Sequence, residues 1–354
     1  MLAVGLDAAE PAYLASLLDR GRLPNLLRLR TAGTWHELRT EPPWRQGFTY
    51  NQVLAGRAPS AGDAWDVCRF DPRRYRAFKP VAGGQLGGPP FYERVAGMRT
   101  IVFDFPWSAI GSAADVVEVV AWGAHSPHYP RASRPRGLLR EIDRRVGVHP
   151  GFKNSWSAQW HDRDSLDRMV EASVVGARRR AEAMAILQAG YPDWELSLVM
   201  MSETHDAGEL LWHGADPDHP LAQAVDAGHA AACLEAIYRG VDDAVGRMVA
   251  KCPPDTAVVV FSLFGSCSGP GDAPSTVLLP ELLTRASGAP ARLRPTGGET
   301  WKRAGCPPVV PARSEGWQEV VDRAWTDSGR PAAPAAAEGG EGRWGPTRPG
   351  ALGL

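Results

Sequence analysis

The chain has 354 residues, 44% hydrophobic and 22% charged, which supplies a sizeable core for one large or two ordinary domains and excludes wholesale disorder. A formal net charge of −1 argues against a dedicated nucleic-acid binder. Arg fills all but four of the 39 Lys+Arg positions, which reads as the codon bias of a GC-rich genome rather than as a basic surface. Five scattered cysteines without a C-x-x-C pair exclude a zinc ribbon and a disulfide-stapled secreted fold, and no apolar run approaches the ~18–20 residues of a membrane span.

Met1–Asp7 is a short apolar run ending in an acid, the pattern of a buried parallel strand that delivers Asp7 at its carboxyl end. It lacks the basic and long apolar regions of a signal peptide, so a cytoplasmic protein is expected. Residues 11–32 follow with a helical spacing of leucines, broken near Gly21 and Pro24. Gln52–Leu54 opens a further ordered piece that ends in the loop Gly56-Arg57-Ala58-Pro59. Met98–Phe103 and Val116–Val120 read as strands, and Leu166–Ala189 as the best long helix. Glu195–Ser202 is an apolar strand running into Glu203-Thr204-His205, with a helix expected after Thr204. Ala230–Lys251 is helical again, and Thr256–Phe264 is the strongest strand signal of the chain. Strands alternating with helices, with polar residues gathered at strand ends, predict an α/β fold. It is built on an open, mostly parallel sheet flanked by helices on both faces, with a site along its carboxyl edge. Residues 1–326 are expected to form this domain, with a loop-rich insertion or cap around 60–165, and 327–354 an Ala/Gly/Pro-rich mobile tail.

Several short motifs stand in a fixed order: Gly5-Leu6-Asp7, Gly21-Arg22-Leu23-Pro24-Asn25-Leu26, Leu54-Ala55-Gly56-Arg57-Ala58-Pro59 and Trp122-Gly123-Ala124-His125. Ser202-Glu203-Thr204-His205, Trp212-His213, Asp216-Pro217-Asp218-His219-Pro220, Tyr238-Arg239-Gly240-Val241-Asp242 and Leu278-Leu279-Pro280-Glu281 continue the series. Together they resemble the type I phosphodiesterase/nucleotide pyrophosphatase family of the alkaline phosphatase superfamily over roughly residues 1–290. The resemblance implies an alkaline-phosphatase-like fold. In active members it implies two zinc-type ions held by carboxylates and imidazoles around a Thr or Ser nucleophile.

Matched one position at a time, only Asp7 keeps a residue of that metal site. The nucleophile position, ten residues before Gly56, is Gln46, which cannot attack phosphorus. The D-x-x-x-H ligand pair falls on His205 and Glu209, both capable of binding zinc but of other types. The S-D-H-G signature reads Ser262-Leu263-Phe264-Gly265, and the last ligand histidine aligns loosely with Val277. Two-metal hydrolysis is therefore not expected, and neither a metal nor another cofactor is assigned.

The remaining polar residues define the candidate site. Asp7, His205 and Glu209 are the expected catalytic groups, with Asp7 or His205 as a base and Glu209 on the face of His205 one helical turn away. Arg45 and Gln46 would donate to the oxygens of a bound sulfate or phosphate, and Glu203 and His125 would complete substrate binding. His213 and His219 read as loop-holding residues. Three functions stay open. The first is a metal-independent lyase or cyclase that expels phosphate or sulfate from a small ester by base-assisted elimination or intramolecular substitution, as in specialised biosynthesis. The second is an inactive relative that binds a ligand or supports a dedicated partner subunit or a second copy of itself. The third is a residual hydrolase with one metal at His205 and Glu209. Neither nucleic acid nor a membrane is an expected partner.

Overall fold

The computed structural model describes residues 1–38, 46–57, 69–71, 73, 76–78, 88–123, 130–151, 163–219, 222, 226–268, 286, 288 and 303; of residues 46–48, 69–71 and 76–78 it describes the backbone only. Its centre is a six-stranded sheet in the order β6-β5-β4-β7-β1-β8. The strands are β1 (Leu2–Leu6), β4 (Thr100–Phe103), β5 (Val116–Val120), β6 (Ala132–Arg134), β7 (Leu196–Met201) and β8 (Val258–Phe261). All pair in parallel except β6, which runs antiparallel to β5. A separate antiparallel pair, β2 (Arg69–Asp71) and β3 (Arg76–Phe78), stands outside this sheet.

Among the described residues seven α-helices follow in chain order: α1 (Pro11–Asp19), α2 (Pro24–Ala32), α3 (Gln46–Ala55), α4 (Leu138–Val146), α5 (Arg163–Gly190), α6 (Glu203–Leu211) and α7 (Ala227–Val249). On one face of the sheet, Leu2, Val4, Leu6, Phe103, Val199 and Met201 pack against α1, α5, α6 and α7. On the other, Ala3, Val102, Leu198 and Met200 meet Tyr50 and Leu54 of α3 and the single turn around Tyr92. Burial on both faces is why the central strands read as continuous apolar runs rather than alternating ones. None of the helices among the described residues is long and apolar enough to cross a membrane.

The structure departs from the expected elements at two places, β8 and the start of α6. The segment with the strongest strand signal forms only the short β8 at the edge of the described sheet, with Val259 43% exposed. β4 and β5 fall inside residues 60–165 and stand where Met98–Phe103 and Val116–Val120 read as strands. Helix α6 starts at Glu203 instead of after Thr204, which turns Glu203, His205 and Asp206 inward in its first turn. The tail from residue 327 lies outside the described residues.

Candidate active site

The parallel strands end together, and their carboxyl edge gathers the polar residues. Asp7 follows β1 directly and is held from two sides. Its N–H donates to Met201 O at 3.0 Å, and its carbonyl accepts from the Thr204 hydroxyl at 2.6 Å. The next residue, Ala8, has φ 53, a left-handed conformation unfavourable for a side chain with a Cβ. That kink turns the chain off the sheet immediately beyond Asp7.

The Asp7 carboxylate is buried, and each of its oxygens has a partner. Oδ1 accepts from the Tyr50 hydroxyl, and Oδ2 lies 3.5 Å from His205 Nδ1. The other ring nitrogen of His205, Nε2, meets Glu209 Oε1 at 3.0 Å. A chain of polar groups thus runs Tyr50–Asp7–His205–Glu209, and Glu209 (side chain 40% exposed) is its outlet to solvent. Phe264 covers it, with its ring edge-on to His205 at 6.0 Å and to Tyr50 at 5.4 Å. Ser266 closes in beside it by donating to Ala8 O at 3.1 Å, an approach possible only because residue 208 is glycine: a Cβ there would stand 2.4 Å from Ser266 Oγ.

Charge follows from these contacts. Burial draws His205 toward neutral imidazole, but the Asp7 carboxylate and the Glu209 carboxylate outweigh it and hold the imidazolium well above 6.5. Tyr50 is kept protonated by burial first and by Asp7 second. Asp206, one residue on, is buried with no hydrogen-bond partner for either oxygen among the described residues. Burial raises it well above 3.8, against the opposing pull of the charged His205. Asp7 is therefore the counter-ion of a His205 imidazolium.

Glu203 does not join this group. Its carboxylate is 1% exposed and takes Arg180 Nε and His149 Nε2, each at 3.2 Å, on its Oε1. Arg180 reaches on to Asp104 at 2.7 Å, and Asp104 accepts the N–H groups of Trp122 and Gly123 at 2.7 and 2.8 Å. His149 Nδ1 accepts from Gly151 N–H at 3.1 Å, so Nε2 carries the hydrogen that bonds Glu203. Glu203, expected as a substrate contact, is thus buried and paired within this network. Arg45 and His125 lie outside the described residues, and of Gln46 only the backbone, at the start of α3, is described. His213 is buried, its ring 5.9 Å from that of His219.

Tyr50 is the residue that sequence reading missed. It stands four positions after Gln46, one helical turn along α3, so treating that segment as a helix would have put both on one face. Arg180, Asp104 and His149 gave no local signal at all, being brought together from α5, the end of β4 and a loop.

The two zinc-type ions implied by the resemblance do not fit this donor set. Leu263 and Phe264 have no metal-binding atom, and the Phe264 ring stands edge-on to His205 at 6.0 Å. Asp7 and Glu209 address different nitrogens of His205, so one ion bound to either nitrogen cannot reach both carboxylates. No protein-family model and no curated protein matches this sequence. Among solved structures, the chain is similar to phosphonoacetate hydrolase from Sinorhizobium meliloti, in complex with phosphonoformate: 15% identity, TM-score 0.43, over 75% of this chain. The likeness takes in 55% of the hydrolase chain, so this chain spans about half of it.

Proposed function

We propose that the carboxyl-edge cleft binds a small molecule carrying a phosphate or sulfate ester and expels the oxyanion by acid–base chemistry, without a two-metal centre. The observation that carries this reading is the chain Tyr50–Asp7–His205–Glu209, in which a histidine held charged lies next to a carboxylate open to solvent. A charged acid placed beside a carboxylate base is the pairing that acid–base catalysis uses. The ester class rests on the resemblance of the motifs that frame the cleft. In this reading Arg45, Gln46 and His125 supply the oxyanion contacts.

In the reaction, Glu209 takes a proton from a C–H or O–H of the substrate. The electron pair released forms the new double bond, or the new bond to the carbon bearing the ester. The C–O bond to the ester breaks with its pair on the departing phosphate or sulfate oxygen, and His205 donates its Nε2 proton to that oxygen. Asp7 holds the imidazolium in place and Tyr50 holds Asp7, while Glu209 passes the proton it has taken across the 3.0 Å contact to His205 Nε2, which restores both groups.

The test is release of inorganic phosphate or sulfate from small alkyl esters bearing an acidic C–H or a free hydroxyl near the ester, with a chelator present. Turnover that drops by about 100-fold or more in His205→Gln and Glu209→Gln, with far-ultraviolet circular dichroism unchanged, supports the reading. Absence of turnover across such a panel, together with ester binding or a co-purifying partner, moves the assignment to the inactive ligand-holding relative, which the burial of Asp7 and His205 favours.

A further inference from the structure

A second polar cluster lies away from the cleft, where α5 and α7 pack along each other. Asp167 projects from the first turns of α5, and His229 and Cys233 stand one turn apart on α7. His229 Nε2 is 2.9 Å from Asp167 Oδ1 and 3.5 Å from Cys233 Sγ, and the three ligand atoms all lie within 4.8 Å of one another. His205 shares its two nitrogens between its neighbours, whereas here both neighbours face the same nitrogen. That is the arrangement of three donors around one point.

The spacing fits a small tetrahedral ion. Bonds of about 2.0–2.3 Å to nitrogen, oxygen and sulfur put donor atoms about 3.3–3.6 Å apart. The sulfur–nitrogen separation already has that value, and Asp167, whose side chain is 62% exposed, has room to swing outward by the remainder. Its partners are fixed more firmly. Cys233 is 4% exposed, and the first turn of α7 is held by Asp226, which accepts His229 N–H at 2.9 Å and pairs with Arg163. A thiol, an imidazole and one carboxylate select zinc-like ions over magnesium or calcium, which take oxygen donors.

We infer that Asp167, His229 and Cys233 form a binding site for one zinc-class divalent cation, with the fourth position open to water, joining α5 to α7. Binding displaces the Cys233 proton to solvent, and the metal–sulfur bond takes its place. This site is independent of the ester cleft and stands or falls separately from it.

Cobalt(II) chloride is the probe, dialysed to equilibrium against the reduced full-length protein, with bound metal counted by mass spectrometry and thiolate-to-cobalt charge transfer read in the near ultraviolet. The expected result is about one cobalt retained per chain with the charge-transfer band. The band disappears in Cys233→Ser. Affinity falls by more than about tenfold in His229→Gln and Asp167→Asn, at least what loss of an outer partner of a metal ligand costs. His205→Gln keeps both the metal and the band. No retained cobalt, cobalt without the band, or a band unchanged in Cys233→Ser overturns the inference. Should Cys233→Ser fail to fold, the two variants at the more exposed His229 and Asp167 decide it on the same readouts.

Discussion

His205 shows how much a single residue's surroundings decide. As a free side chain it would be half neutral near pH 6.5, but between Asp7 and Glu209 its charged form persists to higher pH. The folded-state value lies above the unfolded one, so the stability from this contact is fully present below 6.5 and is lost as pH rises through the folded value. Thermal melts should therefore show the wild type losing stability more steeply than His205→Gln from pH 6.5 into the alkaline range. Equal slopes would mean that His205 is neutral in the fold. Turnover in the proposed reaction should decline over the same range, because the proton donor is being emptied. Arg180 is the other residue whose role is set by its partners. It is fully buried between Asp104 and Glu203, and Arg180→Met leaves two buried carboxylates without a counter-charge. Removing one partner of such a buried group costs about 3–5 kcal/mol, and a urea midpoint unchanged by this variant would contradict the account.

At the scale of elements, motifs that resemble a catalytic family turn out to hold helices together. Asp242 of α7 accepts Leu26 N–H at 2.7 Å, Asn25 N–H at 3.1 Å and Asn25 Nδ2 at 3.0 Å. Helix α2 has no side-chain cap of its own, because Leu23 precedes Pro24, so a residue over two hundred positions away supplies the acceptor. Two motifs distant in sequence are thus two halves of one cap. Asp242→Ala should lower stability by about 1–3 kcal/mol by leaving buried N–H groups unpaired, measured by chemical denaturation. The Trp122-Gly123 motif is structural in the same way, through Asp104. His149 fits beside it only because positions 123 and 176 are glycine: a Cβ at Gly176 would stand 2.1 Å from His149 Nε2, and one at Gly123 2.4 Å from the ring. Gly176→Ala, in the middle of α5, should lose about 1–3 kcal/mol despite the better helix propensity of alanine. A gain in stability would show that His149 moves aside freely.

For the whole molecule, the order β6-β5-β4-β7-β1-β8 puts β1 and β7 side by side in the interior of the sheet. Their carboxyl ends bring Asp7 and the start of α6 together, and α3 on the opposite face contributes Tyr50 from above. A site assembled from three distant segments at one sheet edge is what open α/β sheets provide. The α5–α7 pair lies on the other helical layer, and the inferred cation would tie those two long helices together without touching the cleft.

Much of this was legible in the chain itself. Continuous apolar runs announced β1, β4, β5 and β7 because both faces of the sheet are covered, and leucine spacing with Gly21 and Pro24 marked α1 and α2. The i,i+4 relation of His205 and Glu209 was set by local helix geometry, and the lack of metal donors at Leu263 and Phe264 by residue type alone. What tertiary structure decided is where each polar group points and what it meets. Glu203 and His205 are only two positions apart, yet one is consumed by Arg180 and the other faces Asp7, because helical residues two positions apart point about 200° apart. Protonation states, the Tyr50 contact, the Asp242 cap and the Asp167–His229–Cys233 cluster all depend on residues from separate elements, whose proximity is fixed only when the helices dock on the sheet.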